Sequence, residues 1–366
     1  MGGAEPFGSP LPYYDTARVM NFSALRRTRA GRGVEGGRAA STLLWHGPCK
    51  GLFRLSADTG RSGAEGGRAA STLLQHRTGK ARDPEKEDIQ MSESREFYIQ
   101  DDGIRIHMKL DIPGEDRAEG GTDDRSGCAE DGKQGAAGAV RKLPLMILIH
   151  GFTGNMEETH ILGVQRAANE AGCAVLRAEM YGHGLSGGKF EDHTLFKWIG
   201  NAVKVIDYAR TLDFVSDMYL CGHSQGGLLT MLVGAMERDR LRALLELSPA
   251  SMIPEIARQG ELLGVPFDPD NIPPYLDAGK SLIIRENYIR VAQMIDVDSA
   301  VSRYTGPVLI VHGTADQSVP FHYSRELAEK YADARLVAIE GDSHCYDYHL
   351  DQVEEAVRSF LLQTAF

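Results

Sequence analysis

The chain has 366 residues, 42% hydrophobic and 25% charged, the balance of a globular protein of one or two domains. Its net charge of −11 divides into +5 over residues 1–90 and −16 over the rest, so the acidic main body excludes nucleic acid and anionic membrane as expected partners. No apolar run approaches the ~20 residues needed to span a bilayer, and no apolar core of a secretory signal is visible.

Residues 33–46 recur almost unchanged as residues 63–76, a period of 30 residues. Two small Gly/Arg/Ala-rich copies cannot stack into a solenoid, which needs about three or more. Residues 1–90 therefore read as an extension, either disordered or translated from upstream of a natural start at Met91. From Met91 onward the pattern is that of a folded domain, 91–366. Phe97–Ile99 and Ile104–Leu110 read as two antiparallel strands around Asp102-Gly103. Residues 114–140 lack apolar periodicity and read as an exposed loop.

Strands and helices then alternate. Leu145–Ile149 is continuously apolar, as a buried parallel strand requires, and Ala174–Leu176 is a second such run. Leu195, Ile199, Ala202, Ile206 and Ala209 follow helical spacing. Met218–Cys221, Ala243–Leu247, Val308–Val311 and Leu336–Ile339 continue the strands. A helix over Tyr323–Tyr331 separates the last two, and Val353, Val357, Phe360 and Leu361 mark a final helix. Repeated β-α units predict an α/β fold, a mostly parallel sheet with helices on both faces. Such sheets bind ligands beyond the carboxyl ends of their strands. Residues 250–303 interrupt the alternation with five prolines and with amphipathic pieces at Ile253–Leu263 and Leu282–Met294. They are expected to form a cap inserted into the sheet domain.

Gly222-His223-Ser224-Gln225-Gly226 lies between a strand and a helix, the context of a nucleophile elbow. The turn is sharp, so it needs small flanking residues, and it aims the N-terminus of the next helix at the reaction site. Acyl transfer by serine also needs a base, an acid to orient it, and donors for the developing oxyanion. His344 follows the last strand, and Asp316 sits in the turn after the strand before it. The rival acid, Asp342, is close enough to His344 to make only a local turn bond. The order Ser224, Asp316, His344 is that of an α/β-hydrolase. Gly151 follows the strand Leu145–Ile149 and lets the chain turn, which makes the N–H groups of Phe152 and Gln225 the expected oxyanion donors. His150 reads as structural. Gly182–Gly188 lacks the ending of a phosphate loop and is expected to line the pocket floor. No metal spacing is present and no cofactor is expected. The five scattered cysteines read as free thiols of a reducing, cytoplasmic compartment. Cys221 and Cys345, beside proposed catalytic residues, are expected to be small fillers.

These motifs resemble the α/β-hydrolase superfamily. Together with Tyr181–Ser186, Gly188–Phe190, Asp270–Pro273, Tyr288–Gln293, His312–Asp316 and Glu340–Cys345, they most resemble bacterial cinnamoyl (feruloyl) esterases over residues 95–363. The resemblance implies cofactor-free hydrolysis of hydroxycinnamate esters, with polar groups of the cap meeting the phenolic hydroxyl. Here the first cap segment offers Ile253, Ile256, Leu262 and Leu263 instead, and Tyr288 is the polar candidate. Gly151, Ile256, Leu263 and Tyr288 are the expected substrate contacts. The competing readings are a monoacylglycerol or short-acyl esterase, an acyltransferase or peptidase, and a non-catalytic binding protein. The expected partner is a small-molecule ester, with no nucleic acid and no stable membrane anchoring; a homodimer is admitted.

Overall fold

The computed structural model describes residues 93–114, 141–279 and 282–365. The expected N-terminal extension, and all but Gly114 of the expected loop at 114–140, lie outside those residues. In chain order the elements are β1 (Glu93–Asp101), β2 (Ile104–Ile112), β3 (Leu143–Ile149), α1 (Thr159–Glu170), β4 (Ala174–Ala178), α2 (Leu195–Ala209), β5 (Val215–His223), α3 (Gln225–Met236) and β6 (Ala243–Leu247). There follow α4 (Ile253–Gln259), β7 (Glu261–Leu262), β8 (Val265–Pro266), β9 (Tyr275–Asp277), β10 (Ile283–Arg285), α5 (Glu286–Met294) and α6 (Val297–Val301). The chain returns to the sheet with β11 (Val308–Gly313), α7 (His322–Lys330), β12 (Ala334–Ile339) and α8 (Leu350–Thr364).

The main sheet runs β1-β2-β4-β3-β5-β6-β11-β12. β1, β2 and β4 pair antiparallel, and the strands from β4 to β12 are parallel. Asp102 and Gly103 both take positive φ, 45° and 76°, the backbone that a two-residue hairpin turn needs. β3 shows why its run is apolar throughout. Leu145, Ile147 and Ile149 face one core with α2 and α3, while Met146 and Leu148 face the other with α1 and α8. Alternate side chains thus enter opposite layers, and both layers are covered.

Chain order reverses direction across β3 and β5: β4 lies beyond one, β6 beyond the other. The crevice at the carboxyl ends of these two strands is the place where such a sheet binds ligands. The inserted segment returns over this crevice. Its two amphipathic pieces are each helical only in part. α4 stops at Gly260, whose φ of 83° takes the chain into a left-handed turn, and a Cβ there would come within 2.4 Å of the Phe267 carbonyl. In the second piece Ile283–Arg285 pairs with Tyr275–Asp277 as a short hairpin before α5 begins. Among the described residues no helix is long and apolar enough to cross a membrane.

One acid sits in the middle of the sheet. Glu246 on β6 is fully buried; one carboxylate oxygen pairs with the Tyr331 hydroxyl and the other has no described partner. Burial pushes its carboxyl up to about 8, against an ordinary value of 4.5. Between those values the folded chain holds a proton that the unfolded chain releases, so this group erodes stability as pH rises from about 4.5 to about 8. Glu246→Gln removes the titration. The melting temperature of the variant minus that of the parent should grow between pH 5 and pH 8, read by thermal unfolding at both; a pH-independent difference would contradict this account.

Candidate active site

The end of β5 delivers Ser224 to the crevice with φ 56° and ψ −116°, backbone that non-glycine residues avoid. Close approaches on every side hold it there. A Cβ on Gly222 would lie 2.1 Å from the Gly226 carbonyl oxygen, and one on Gly226 would lie 2.6 Å from the carbonyl oxygens of Ile149 and His150. The start of α3 therefore presses against the end of β3 with no space for a methyl group. Ser224 N–H donates to the Leu247 carbonyl at 2.8 Å, which ties the turn to β6. This packing accounts for both glycines of the pentapeptide.

His344 arrives on the loop after β12. Its Nε2 is 2.9 Å from Ser224 Oγ and its Nδ1 2.6 Å from Asp316 Oδ2. Asp316 sits in the turn after β11, where its Oδ1 accepts from the N–H groups of Ser318 at 2.7 Å and Val319 at 2.9 Å. Burial alone would raise the Asp316 carboxyl, but hydrogen bonds from His312 and His344 outweigh it and hold the group well below the usual carboxylate range. The three side chains picked out for a triad are thus joined in one line. The rival Asp342 instead accepts from the N–H groups of Ser343, Tyr348 and His349 and shapes the loop that carries His344. Tyr346 props that loop from below: its hydroxyl donates to the Val311 carbonyl and accepts from Ser248, each at 2.9 Å.

The turn after β3 faces Ser224 from the other side. Gly154 N–H closes it on the Gly151 carbonyl at 3.1 Å. Among the described residues the Phe152 N–H meets no acceptor, and the Gln225 N–H opens α3 with no carbonyl one turn back. Two buried histidines brace the turn. His150 donates from Nδ1 to the Gly151 carbonyl at 2.7 Å and accepts at Nε2 from Met180 N–H at 3.1 Å. His183 donates to the Tyr181 carbonyl at 3.0 Å and accepts from Thr153 N–H at 3.3 Å. Each ring uses its lone pair, and burial depresses both, His150 to about 3 and His183 to about 4. His150 is structural, as expected. The Gly182–Gly188 loop does not line the pocket. It wraps the buried Glu179, whose carboxylate accepts from Leu185 N–H at 2.5 Å, and it reaches the site only through His183.

Above Ser224 is a cavity of about 270 Å³. Its walls are mainly apolar: Met252, Ile253, Ile256, Leu262 and Leu263 from the inserted segment, Val319, Pro320 and Tyr323 from the body. The expected contacts Gly151, Ile256, Leu263 and Tyr288 all line it. Tyr288, however, is 1% exposed and donates its hydroxyl to Gln225 Oε1 at 2.6 Å, which fastens the inserted segment to the residue after the nucleophile. Its hydroxyl is already engaged, which corrects its reading as the polar group awaiting substrate. Two carboxylates that the motif reading passed over, Glu158 and Glu261, line the cavity instead. Burial raises the Glu158 carboxyl above its ordinary value. Cys221 is a fully buried free thiol on β5; Cys345 borders the cavity and is disulfide-bonded, which corrects its reading as a free thiol and a small filler.

A family model described as "Alpha/beta hydrolase family" matches residues 146–358. The chain belongs to that family. The hydrolase is 52% identical to Est1E from Butyrivibrio proteoclasticus, a structure solved with ferulic acid bound, with a TM-score of 0.66 over 74% of this chain and 99% of that one. Mouse alpha/beta hydrolase domain-containing protein 10 shares the fold at 17% identity and a TM-score of 0.52, over 74% of this chain and 99% of that chain. Among curated proteins, the mitochondrial palmitoyl-protein thioesterase ABHD10 of Pongo abelii is 26% identical over 198 residues, 52% of this chain; the hydrolase spans 62% of that relative's length.

A methyl group at residue 151 would sit 3.0 Å from Ser224 Cβ and 3.1 Å from His223 Nδ1. Gly151→Ala should therefore displace the nucleophile or the turn facing it and lower kcat by at least about tenfold. The melting temperature should stay within a few degrees. Parent-like kcat in a folded variant would show that the close approach has no part in turnover.

Proposed function

We propose that this hydrolase is a serine carboxylesterase acting on aryl esters of the hydroxycinnamate type. The observation that carries the reading is the unbroken hydrogen-bond line from Asp316 through His344 to Ser224, ending beneath an apolar cavity. In this reading Ser224 Oγ attacks the ester carbonyl while His344 Nε2 takes its proton, and Asp316 stabilises the imidazolium that forms. The N–H groups of Phe152 and Gln225 receive the oxyanion; a single such donor is worth roughly 10²–10³ in rate. His344 then passes the proton to the leaving alcohol, and water, activated by the same ring, releases the acid. We read residues 91–366 as the hydrolase domain and 250–303 as its cap. A cytoplasmic setting belongs to the same reading and rests on the buried free thiols Cys173 and Cys221; the disulfide-bonded Cys345 counts against it.

The substrate class draws on two observations. Est1E, at 52% identity, holds ferulic acid. Here the cavity joins apolar walls, suited to a planar ring, with the exposed Glu261 on β7, a carboxylate able to accept from a ring hydroxyl.

The test is turnover of methyl ferulate, methyl cinnamate, p-nitrophenyl butyrate and a palmitoyl thioester by the parent and by Ser224→Ala. We expect ferulate to exceed the others and the variant to be inactive yet folded. Full turnover by Ser224→Ala would refute the mechanism; fast butyrate or thioester cleavage with negligible ferulate turnover would leave the esterase and remove the substrate class. In Glu261→Gln the ratio of ferulate to cinnamate kcat/KM should fall about tenfold, the worth of one hydrogen bond to a charged acceptor. An unchanged ratio would exclude Glu261 as the group that reads the ring hydroxyl.

A further inference from the structure

Asp316 serves two imidazoles through one oxygen. Oδ2 lies 2.6 Å from His344 Nδ1 and 3.0 Å from His312 Nε2. His312 is the last residue but one of β11, four positions before Asp316, and is fully buried. Its Nε2 also lies 3.0 Å from the Val319 carbonyl, so this nitrogen faces only acceptors and carries the proton. Ser324 Oγ, itself fully buried on α7, lies 2.6 Å from Nδ1 and donates to it, which fixes that tautomer. The ring edge meets Phe321 at a centroid distance of 5.6 Å, so the imidazole has no room to swing away.

We propose that His312 is a positioning residue: by donating permanently to Asp316 Oδ2 it aims the carboxylate at His344 and draws off part of the negative charge that the His344 ring sees. The inference rests on the reading of Ser224, Asp316 and His344 as a triad. The physical reason is simple. A carboxylate oxygen that already accepts one hydrogen bond stabilises an imidazolium less than one that accepts none. His344 thus faces a carboxylate oxygen whose charge is shared with a second donor, while Asp316 stays ionised and correctly turned. The Ser318 and Val319 N–H groups hold the other oxygen, Oδ1, so His312 is the group that shares Oδ2 with His344, and among the described residues no other titratable group around this line does so. Glu158, His160 and His223 face His344 from α1 and β5, and Tyr346 faces Asp316 from below, but among the described residues none of them donates to Asp316.

The experiment follows the His344 ring directly and does not need turnover. In protein labelled with ¹⁵N-histidine, the His344 signals are identified by their loss in His344→Gln, and their titration midpoint is read in the parent, His312→Leu and His312→Gln. Leucine fills the space without a donor; the glutamine amide restores a donor in place of Nε2. The midpoint should rise by about one pH unit in His312→Leu and return to within about 0.3 unit of the parent in His312→Gln. The acid limb of kcat/KM should move with it, while kcat on the plateau falls about tenfold in the leucine variant. A midpoint that stays with the parent in a folded His312→Leu, or one that moves equally in both variants, overturns the proposal. If His312→Leu does not fold, Ser324→Ala frees the tautomer and should move the midpoint in the same direction by a smaller amount; an unmoved midpoint there also overturns it. A parent that cleaves no ester would instead refute the esterase reading, and the ring titration would still judge His312.

Discussion

The backbone of Ser224 is the constraint on which the site is built. A non-glycine residue at φ 56° and ψ −116° is unstable by itself, by roughly 1–3 kcal/mol. It persists because the ends of β3 and β5, the start of α3 and the Leu247 carbonyl leave the chain no other path. Once the serine is fixed, the rest of the geometry follows. The glycines at 222 and 226 are required by contact, the turn after β3 must run beside the nucleophile, and α3 must begin where its free N–H groups face the crevice. The strain is thus offset by the sheet core, in which both faces of β3 and β5 are sealed by helices.

Much of this was legible in the sequence because it depends on local pattern. The parallel strands are continuous apolar runs, and the nucleophile turn is written in adjacent small residues. Asp316 and His344 are each marked by the strand they follow. What escaped was set by tertiary contact. α1 gives a weak signal because its buried face is built partly from Gly163, Ala167 and Ala168 and its start has no side-chain cap. The hairpins β7–β8 and β9–β10 have strands of two or three residues, too short for any periodicity to register. Tyr288 could be picked out as a polar residue of the cap, but only the fold shows its hydroxyl spent on Gln225. His312 carried one usable clue, a histidine four positions before the acid, and Glu261 was hidden by its apolar neighbours.

The polar interior is organised around imidazoles used as hydrogen-bonded struts. His150 and His183 support the turn after β3, and His223 donates from Nε2 to the His344 carbonyl at 2.9 Å, holding the base loop against the nucleophile strand. At His150 and His183 a neutral ring suits the place because one nitrogen donates and the other accepts, so a single side chain joins a carbonyl to an N–H. Of these rings His223 and His344 both line the cavity, and His344 is the one that reaches Ser224 Oγ. The division between rings that brace and the ring that reaches the serine follows from where the fold places each one, not from residue type.

The place where β1 sits has a practical meaning. It forms one edge of the sheet, with β2, β4 and β3 standing between it and the nucleophile strand. The exposed side chains of β1 therefore lie on the flank away from Ser224, with three strands in between. The opposite terminus leaves from the end of α8, where Thr364 approaches Tyr219 and Arg242. Among the described residues neither Glu93 nor Thr364 borders the cavity. Attaching the domain to a solid support through an exposed side chain of β1 would leave the mouth of the cavity open to dissolved molecules, which makes this edge the natural handle for immobilisation.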